Sequence, residues 1–173
     1  MKAGESSREK GKFGGDVLIE VDIPGWKTLR LEHLVLDFNG TLACDGGLLE
    51  GVREGLYALS PRLEIHVVTA DTFGRAKDEL HGLPCSLTIL PTGDQSRAKL
   101  LYIEKLSPQS VAAIGNGRND RLMLEGAALG IAILEAEGAG AETLQSADVV
   151  CRNIRDALAL LDHPKRLVAT LRA

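Results

Sequence analysis

Short apolar runs alternate along this chain with stretches whose apolar residues recur at helical spacing. Val17 to Ile23 alternates imperfectly, Pro24-Gly25 marks a turn and Trp26 to Leu31 alternates again, which predicts a β-hairpin. Apolar runs follow at Leu34-Val35-Leu36, Ile65 to Val68 (broken by His66), Val111 to Ile114 and Leu129 to Leu134, and shorter mixed strands are read at Cys85 to Leu90 and Ala147 to Cys151. Such runs read as strands buried on both faces of a parallel sheet. The segments between them predict helices over Glu50–Leu59 (stopped near Pro61), Phe73–His81 (ended by Gly82), Ser96–Leu106, Arg121–Ala128 and Asn153–Leu161 (stopped by Pro164). Asp45-Gly46-Gly47 reads as a loop and Lys165 to Ala173 as a basic tail. Strands that alternate with helices predict an α/β fold of three layers, a central parallel sheet with helices on both faces. With no internal repeat and no linker, residues 16–173 read as a single domain, preceded by a charged, glycine-rich segment over residues 1–15 that is expected to be disordered.

Composition narrows the partners more than the fold. In a chain of 173 residues, 45% hydrophobic content supplies a sizeable core, and with only 3% aromatic residues that core must be mostly aliphatic. A net charge of -4 gives no electrostatic case for nucleic acid or an anionic membrane. Cys44, Cys85 and Cys151 are odd in number and widely spaced, so neither a disulfide framework nor a structural zinc site is indicated. The expected home is a reducing cytoplasm.

The candidate chemistry gathers where the apolar runs end. The first ends on Asp37 and turns through Phe38-Asn39-Gly40-Thr41, which places a carboxylate at the mouth of the crevice where α/β sheets bind ligands. Gly40 and Thr41 offer a backbone amide and a hydroxyl to phosphate oxygens. Taken alone, a strand that ends in Asp is equally what turn preference produces. The Ile65 run ends on Thr69, whose hydroxyl suits a phosphoryl oxygen. Lys99 sits at the start of a helix, where an ammonium offsets the charge of a phosphoryl group and a carboxylate. The Val111 run leads into Gly115-Asn116-Gly117-Arg118-Asn119-Asp120, a glycine-rich loop whose carboxylate suits a metal ion.

In this order the segments resemble the motifs of the haloacid dehalogenase-like phosphatase and phosphotransferase superfamily, and most closely its soluble P-type ATPase-like group. The resemblance runs from about Val17 to the C-terminus. Asp37, Gly40 and Thr41 match an Asp-x-Asp-Gly-Thr pattern in which Asn39 replaces the second Asp. Thr69-Ala70-Asp71 is similar to the Thr-Gly-Asp of the P-type ATPase phosphorylation domain, and Lys99 matches the lysine of the third motif. The Gly115 to Asp120 loop resembles Gly-Asp-Gly-x-Asn-Asp with its first Asp changed to Asn116. The fold implied is a Rossmannoid α/β/α domain. Thr41 to Ile65 and Ala70 to Asp94 leave room for only about one helix and short loops each, so the protein is expected to be capless. An open site then favours a large substrate or a lid from a neighbouring subunit, and a homo-oligomer could provide one.

The resemblance implies a phosphohydrolase in which Asp37 takes the phosphoryl group as an aspartyl-phosphate. Mg²⁺ would be held by Asp37, the Asn39 carbonyl, Asn116 and Asp120, while Thr69, Ala70 and Lys99 meet the phosphoryl group with Gly40 and Thr41. In related phosphatases the second Asp moves the leaving-group proton. Asn39 cannot, which implies either a slow phosphatase or a weakened module that binds a phosphoryl group without turning it over. A receiver-type signalling domain also accepts phosphate on Asp, but Asn39-Gly40-Thr41 and the glycine-rich loop fit it poorly. Outside the motifs, His66 reads as a core histidine; His33, His81 and His163 lack ligand-like spacing, and Cys44 reads as loop packing. Asp71 could orient Lys99, approach a nucleotide or cap the next helix. Arg118 could meet a substrate anion or be a solvated loop residue.

Overall fold

The computed structural model describes residues 18–173; the expectation for residues 1–15 and the start of the predicted hairpin at Val17 lie outside them. The chain opens with strands β1 (Ile19–Asp22) and β2 (Thr28–Leu31), then β3 (His33–Leu36) and a small pair, β4 (Ala43–Cys44) and β5 (Gly47–Leu48). There follow α1 (Val52–Leu59), β6 (Glu64–Thr69), α2 (Ala76–Glu79), β7 (Ser86–Ile89), α3 (Gln95–Lys105) and β8 (Val111–Gly115). The remainder is α4 (Arg121–Gly126), β9 (Leu129–Ile133), α5 (Ala141–Gln145), β10 (Val149–Cys151), α6 (Ile154–Asp162) and α7 (Lys165–Leu171).

Six strands form one sheet in the order β10-β9-β8-β3-β6-β7, and each neighbouring pair is parallel. Strand alternation divides the apolar residues between two faces. Leu34, Leu36, Ile65, Val67, Ala112 and Ile114 enter one core with α1, α6 and α7, while Val35, Val68, Val111 and Ala113 enter a second with Ile103 of α3 and Met123 of α4. The expected layers are therefore present. The antiparallel hairpin of β1 and β2 buries Ile19, Val21, Leu29 and Leu31 in the first core and exposes Glu20, Thr28 and Arg30.

Four local features differ from the sequence reading. The basic tail is a helix: Leu167 is fully buried, Val168 and Leu171 pack beside it, and the Ala173 amide donates to Pro24 O at 3.1 Å. A basic surface hid a one-sided apolar stripe. In the Asp45-Gly46-Gly47 loop, Asp45 and Gly46 make the turn between β4 and β5, and Gly47 opens β5. The helix expected over Phe73–His81 shrinks to Ala76–Glu79, because Gly74 adopts φ 67° and the Phe73 side chain is exposed. Residues 141–145 add a short helix, α5, that the pattern did not suggest.

Candidate active site

The carboxyl ends of β3, β6 and β8 lie side by side, and with α3 they gather the residues singled out in the sequence. Asp37 follows β3 directly and is 6% exposed. Its Oδ1 accepts a hydrogen bond from Lys99 Nζ at 2.6 Å, and the same ammonium donates to Asp120 Oδ1 at 2.6 Å. Lys99 and Asp120 have no exposed surface. Two carboxylates therefore share one buried cation, which leaves the group a net negative charge when both are ionised.

The electrostatic consequence falls on Asp37. Burial, and then the nearby Asp120 charge, raise its pKa to about 7 in spite of the pull of Lys99. For Lys99, burial alone favours the neutral amine, but Asp120 and Asp37 overcome it and push the pKa above its usual value.

The turn after Asp37 is built around Gly40, which has φ 78°. A Cβ there would run into the side-chain amide of Asn116, with Oδ1 at 2.7 Å, so only glycine allows the first turn and the β8 loop to approach this closely. The Gly40 amide donates to Ala43 O at 2.7 Å, closing the turn. Thr41 is fully buried, and its hydroxyl lies 3.3 Å from Asn116 Oδ1 and 3.5 Å from Asp37 Oδ2. Asn39 Oδ1 is buried and accepts no hydrogen bond, the only such side-chain atom among the described residues.

The loop after β8 folds around its own last carboxylate. Asp120 Oδ2 accepts from the backbone amides of Asn116 at 3.0 Å and Gly117 at 2.9 Å, and a Cβ on Gly115 would come within 2.5 Å of Asp120 Cγ. Both Asp120 oxygens are thus engaged, one by the loop and one by Lys99. Asn116 is held from its other side as well: its Nδ2 donates to Gly138 O at 2.8 Å, and its carbonyl accepts from the Gly140 amide at 2.8 Å. Thr143 Oγ1 donates to Gly117 O at 2.8 Å. These supports after β9 were missed in the sequence, although Glu137-Gly138-Ala139-Gly140 is a second glycine-rich stretch that signals a close backbone approach.

Thr69 is buried at the end of β6, where its Oγ1 accepts from the Asp71 amide at 3.0 Å, and Ala70 follows half-buried. Asp71 Oδ1 accepts from the amides of Arg75 and Ala76, each at 3.0 Å, and so satisfies the entry to α2 from four and five residues upstream, although Arg75 is that helix's N-cap residue. Arg118 is 82% exposed and pairs with Glu142 at 3.3 Å on the rim. An open cleft of about 450 Å³ lies beside it, lined by Asp94, Ser96, Asn119 and Arg121.

Away from this end, the fold pairs two histidines that are far apart in sequence. His33 Nδ1 lies 3.2 Å from His66 Nε2. Burial, then His33 itself, lower the pKa of His66.

Comparison with known proteins adds the family context. Residues 95–159 match the family model of haloacid dehalogenase-like hydrolases. An uncharacterized protein of Methanocaldococcus jannaschii is 44% identical over 84 residues, which cover 46% of this chain and 90% of that protein. The cobalt-bound deoxy-D-mannose-octulosonate 8-phosphate phosphatase of Haemophilus influenzae has a similar fold, with a TM-score of 0.62 at 12% identity over 83% of this chain and 94% of that one. The 3-deoxy-D-manno-octulosonate 8-phosphate phosphatase of Moraxella catarrhalis, solved with magnesium, phosphate and its sugar, gives 0.54 at 18% identity over 82% and 94%. At these identities the two structures speak to the fold.

Proposed function

From the premise that this chain belongs to the haloacid dehalogenase-like superfamily, we propose that it is a phosphohydrolase acting through an aspartyl-phosphate at Asp37. The observation that carries this reading is the buried ammonium of Lys99, 2.6 Å from both Asp37 and Asp120 where the parallel strands end. It fixes one Asp37 oxygen and leaves Oδ2 beside Thr41, at the mouth of the turn. In the proposed step one oxygen of the Asp37 carboxylate attacks phosphorus, the bond to the leaving oxygen breaks with its electron pair and that oxygen takes a proton from solvent water, and water later cleaves the acyl phosphate to release inorganic phosphate and regenerate the carboxylate. Lys99 and the Thr69 hydroxyl offset the charge of the transferring group, the dominant contribution in phosphoryl transfer.

The residues present fit a hard divalent cation. Asp37 Oδ2 and Asn116 Oδ1 converge on the Thr41 hydroxyl, and oxygen donors with net negative charge suit Mg²⁺. The proposed ligands are Asp37, the Asn39 backbone carbonyl and Asn116; Asp120, read from the sequence as a fourth, has its oxygens taken by Lys99 and by the Asn116 and Gly117 amides, and is read here as adding negative charge beside the site rather than as a direct ligand. When bound, Mg²⁺ would supply charge neutralisation to the phosphoryl oxygens. The amide at 116 is a weaker donor than a carboxylate, so the affinity is expected to be low.

The amide at Asn39, where a carboxyl would serve, favours slow turnover. A carboxyl group there would donate a proton to the leaving oxygen; an amide cannot, and general acid-base catalysis is worth roughly 10²–10⁴-fold. The same observation supports a second reading, a module that holds its phosphoryl group rather than releasing it. The connections that flank β6 carry only the β4–β5 pair with α1, and α2 with β7. We therefore read residues 16–173 as one capless domain open to a large phosphorylated substrate. A cytoplasmic setting also belongs to this reading, consistent with three cysteines that form no disulfide. No helix among the described residues is long and apolar enough to cross a membrane.

Beryllofluoride with Mg²⁺ tests the nucleophile directly, since it forms an aspartyl-phosphate mimic. Binding is expected in the natural protein and absent in Asp37→Asn; equal binding in the two removes Asp37 from its role. A Mg²⁺-supplemented screen of phosphate esters, run with Asp37→Ala in parallel, then separates turnover from contaminating phosphatase.

A further inference from the structure

At the opposite end of the sheet, three potential metal ligands share one face. His33 opens β3, Glu64 opens β6 beside it in register, and His66 lies two residues further on. Residues two apart on a strand point to the same side, and His66 is in register with Val35, which faces α3. The three side chains therefore meet on the α3 face. His33 Nδ1 is 3.2 Å from His66 Nε2 and 3.3 Å from Glu64 Oε2, and one ligand atom from each residue lies within 4.8 Å of the others.

From these distances we propose that His33, His66 and Glu64 bind a zinc-like divalent ion, with a fourth position left to water. Ligand bonds of about 2.0–2.1 Å at tetrahedral angles place neighbouring donor atoms about 3.3 Å apart, close to the separations of His33 from its two partners. The rings agree with this geometry. Imidazoles that share such an ion have centroids about 5 Å apart, and these stand at 5.3 Å with a 54° tilt.

The surroundings of His66 point the same way. Its Nδ1 lies 3.1 Å from both the Tyr102 hydroxyl on α3 and the Ser86 hydroxyl on β7. A ring held through Nδ1–H presents the Nε2 lone pair to His33 and Glu64, the outer hydrogen-bonding arrangement that metal-binding histidines use. Glu64 is 63% exposed while His33 is 15% exposed, so an ion can enter from solvent toward two mostly covered nitrogens. Asp37 lies four residues along the chain from His33, about 13 Å at the rise of a strand, so this site is separate from the proposed catalytic one. An ion here would tie β3 to β6 and act on stability rather than on phosphoryl transfer.

Zinc sulfate titrated into chelator-stripped full-length protein, with millimolar Mg²⁺ present to occupy oxygen-donor sites, tests the proposal. The expected result is one zinc per chain by elemental analysis, nitrogen scattering from imidazole at about 2.0 Å in X-ray absorption, and a higher melting temperature. Glu64→Gln, at an exposed position that leaves the core untouched, and His33→Gln should each lose most of the bound zinc. Tyr102→Phe combined with Ser86→Ala should weaken binding by about 10–100-fold with the circular dichroism retained. Zinc held equally by Glu64→Gln and His33→Gln, or no zinc retained by the natural protein, overturns the assignment. Neither result bears on Asp37, whose beryllofluoride test stands apart.

Discussion

A carboxylate that burial and a second carboxylate resist charging makes Asp37 the most pH-sensitive residue of the site. Its pKa rises from 3.8 to about 7 on folding, so the native state binds its proton more tightly than the unfolded chain does. The stability this group contributes is full below about pH 4 and is lost as pH rises through 7. Asp37→Asn removes the titration, so in chelator-treated buffer the variant should be the more stable protein at pH 8 and lose that advantage toward pH 4. Urea denaturation across this range measures it, and a gap that widens toward acid would reverse the sign. Beside it, Asn39→Asp would place a carboxyl where the proposed leaving group departs. Single-turnover hydrolysis of any substrate found should accelerate toward the roughly 10²–10⁴-fold range of general acid-base catalysis. An unchanged rate would locate the slow step elsewhere.

At the scale of elements, the site depends on two turns brought into contact. The turn after β3 reaches the loop after β8 only because Gly40 takes a left-handed conformation and presents no side chain to Asn116. Gly40→Ala should therefore destabilise the fold by about 1–3 kcal/mol from backbone strain alone, with the collision adding to it. Chemical denaturation reads the stability, and Mg²⁺-dependent beryllofluoride binding reads the site; an unperturbed variant would mean that the loops separate without loss. The loop after β9 enters the same assembly by holding Asn116 through Gly138 and Gly140.

For the whole molecule, the open question is assembly. The β1–β2 hairpin and α7 both bury their apolar faces against their own chain. Among the exposed large apolar residues, Ile89 lies on β7 and Val150 on β10, the two edge strands of the sheet. A dimer built through those edges would survive removal of the last helix, whereas one built through α7 would not. Light scattering of the full chain and of a version ending at Pro164 tests this, with the expectation that shortening lowers the melting temperature and leaves the oligomeric state as it was. Dissociation on shortening would place α7 in the interface instead.

Much of the parallel sheet was legible because apolar runs bounded by turns leave few alternatives for strands buried on both faces. Asp37, Thr69, Lys99 and the Gly115 to Asp120 loop were legible too, since each stands at an end of such a run or at a helix start, where local chemistry and topology agree. The short helices were not: α7 looked like a solvated basic tail because three buried or half-buried residues are enough to dock it, and the segment before α2 was lost to the turn at Gly74. Which residues meet was decided by tertiary structure alone. That Lys99 bridges two carboxylates, that Asn116 packs on Gly40 and that His33 stands against His66 follow from the alignment of β3 with β6 and β8, in contacts between residues tens of positions apart. Local patterning fixes what each strand buries, but strand register fixes what it faces.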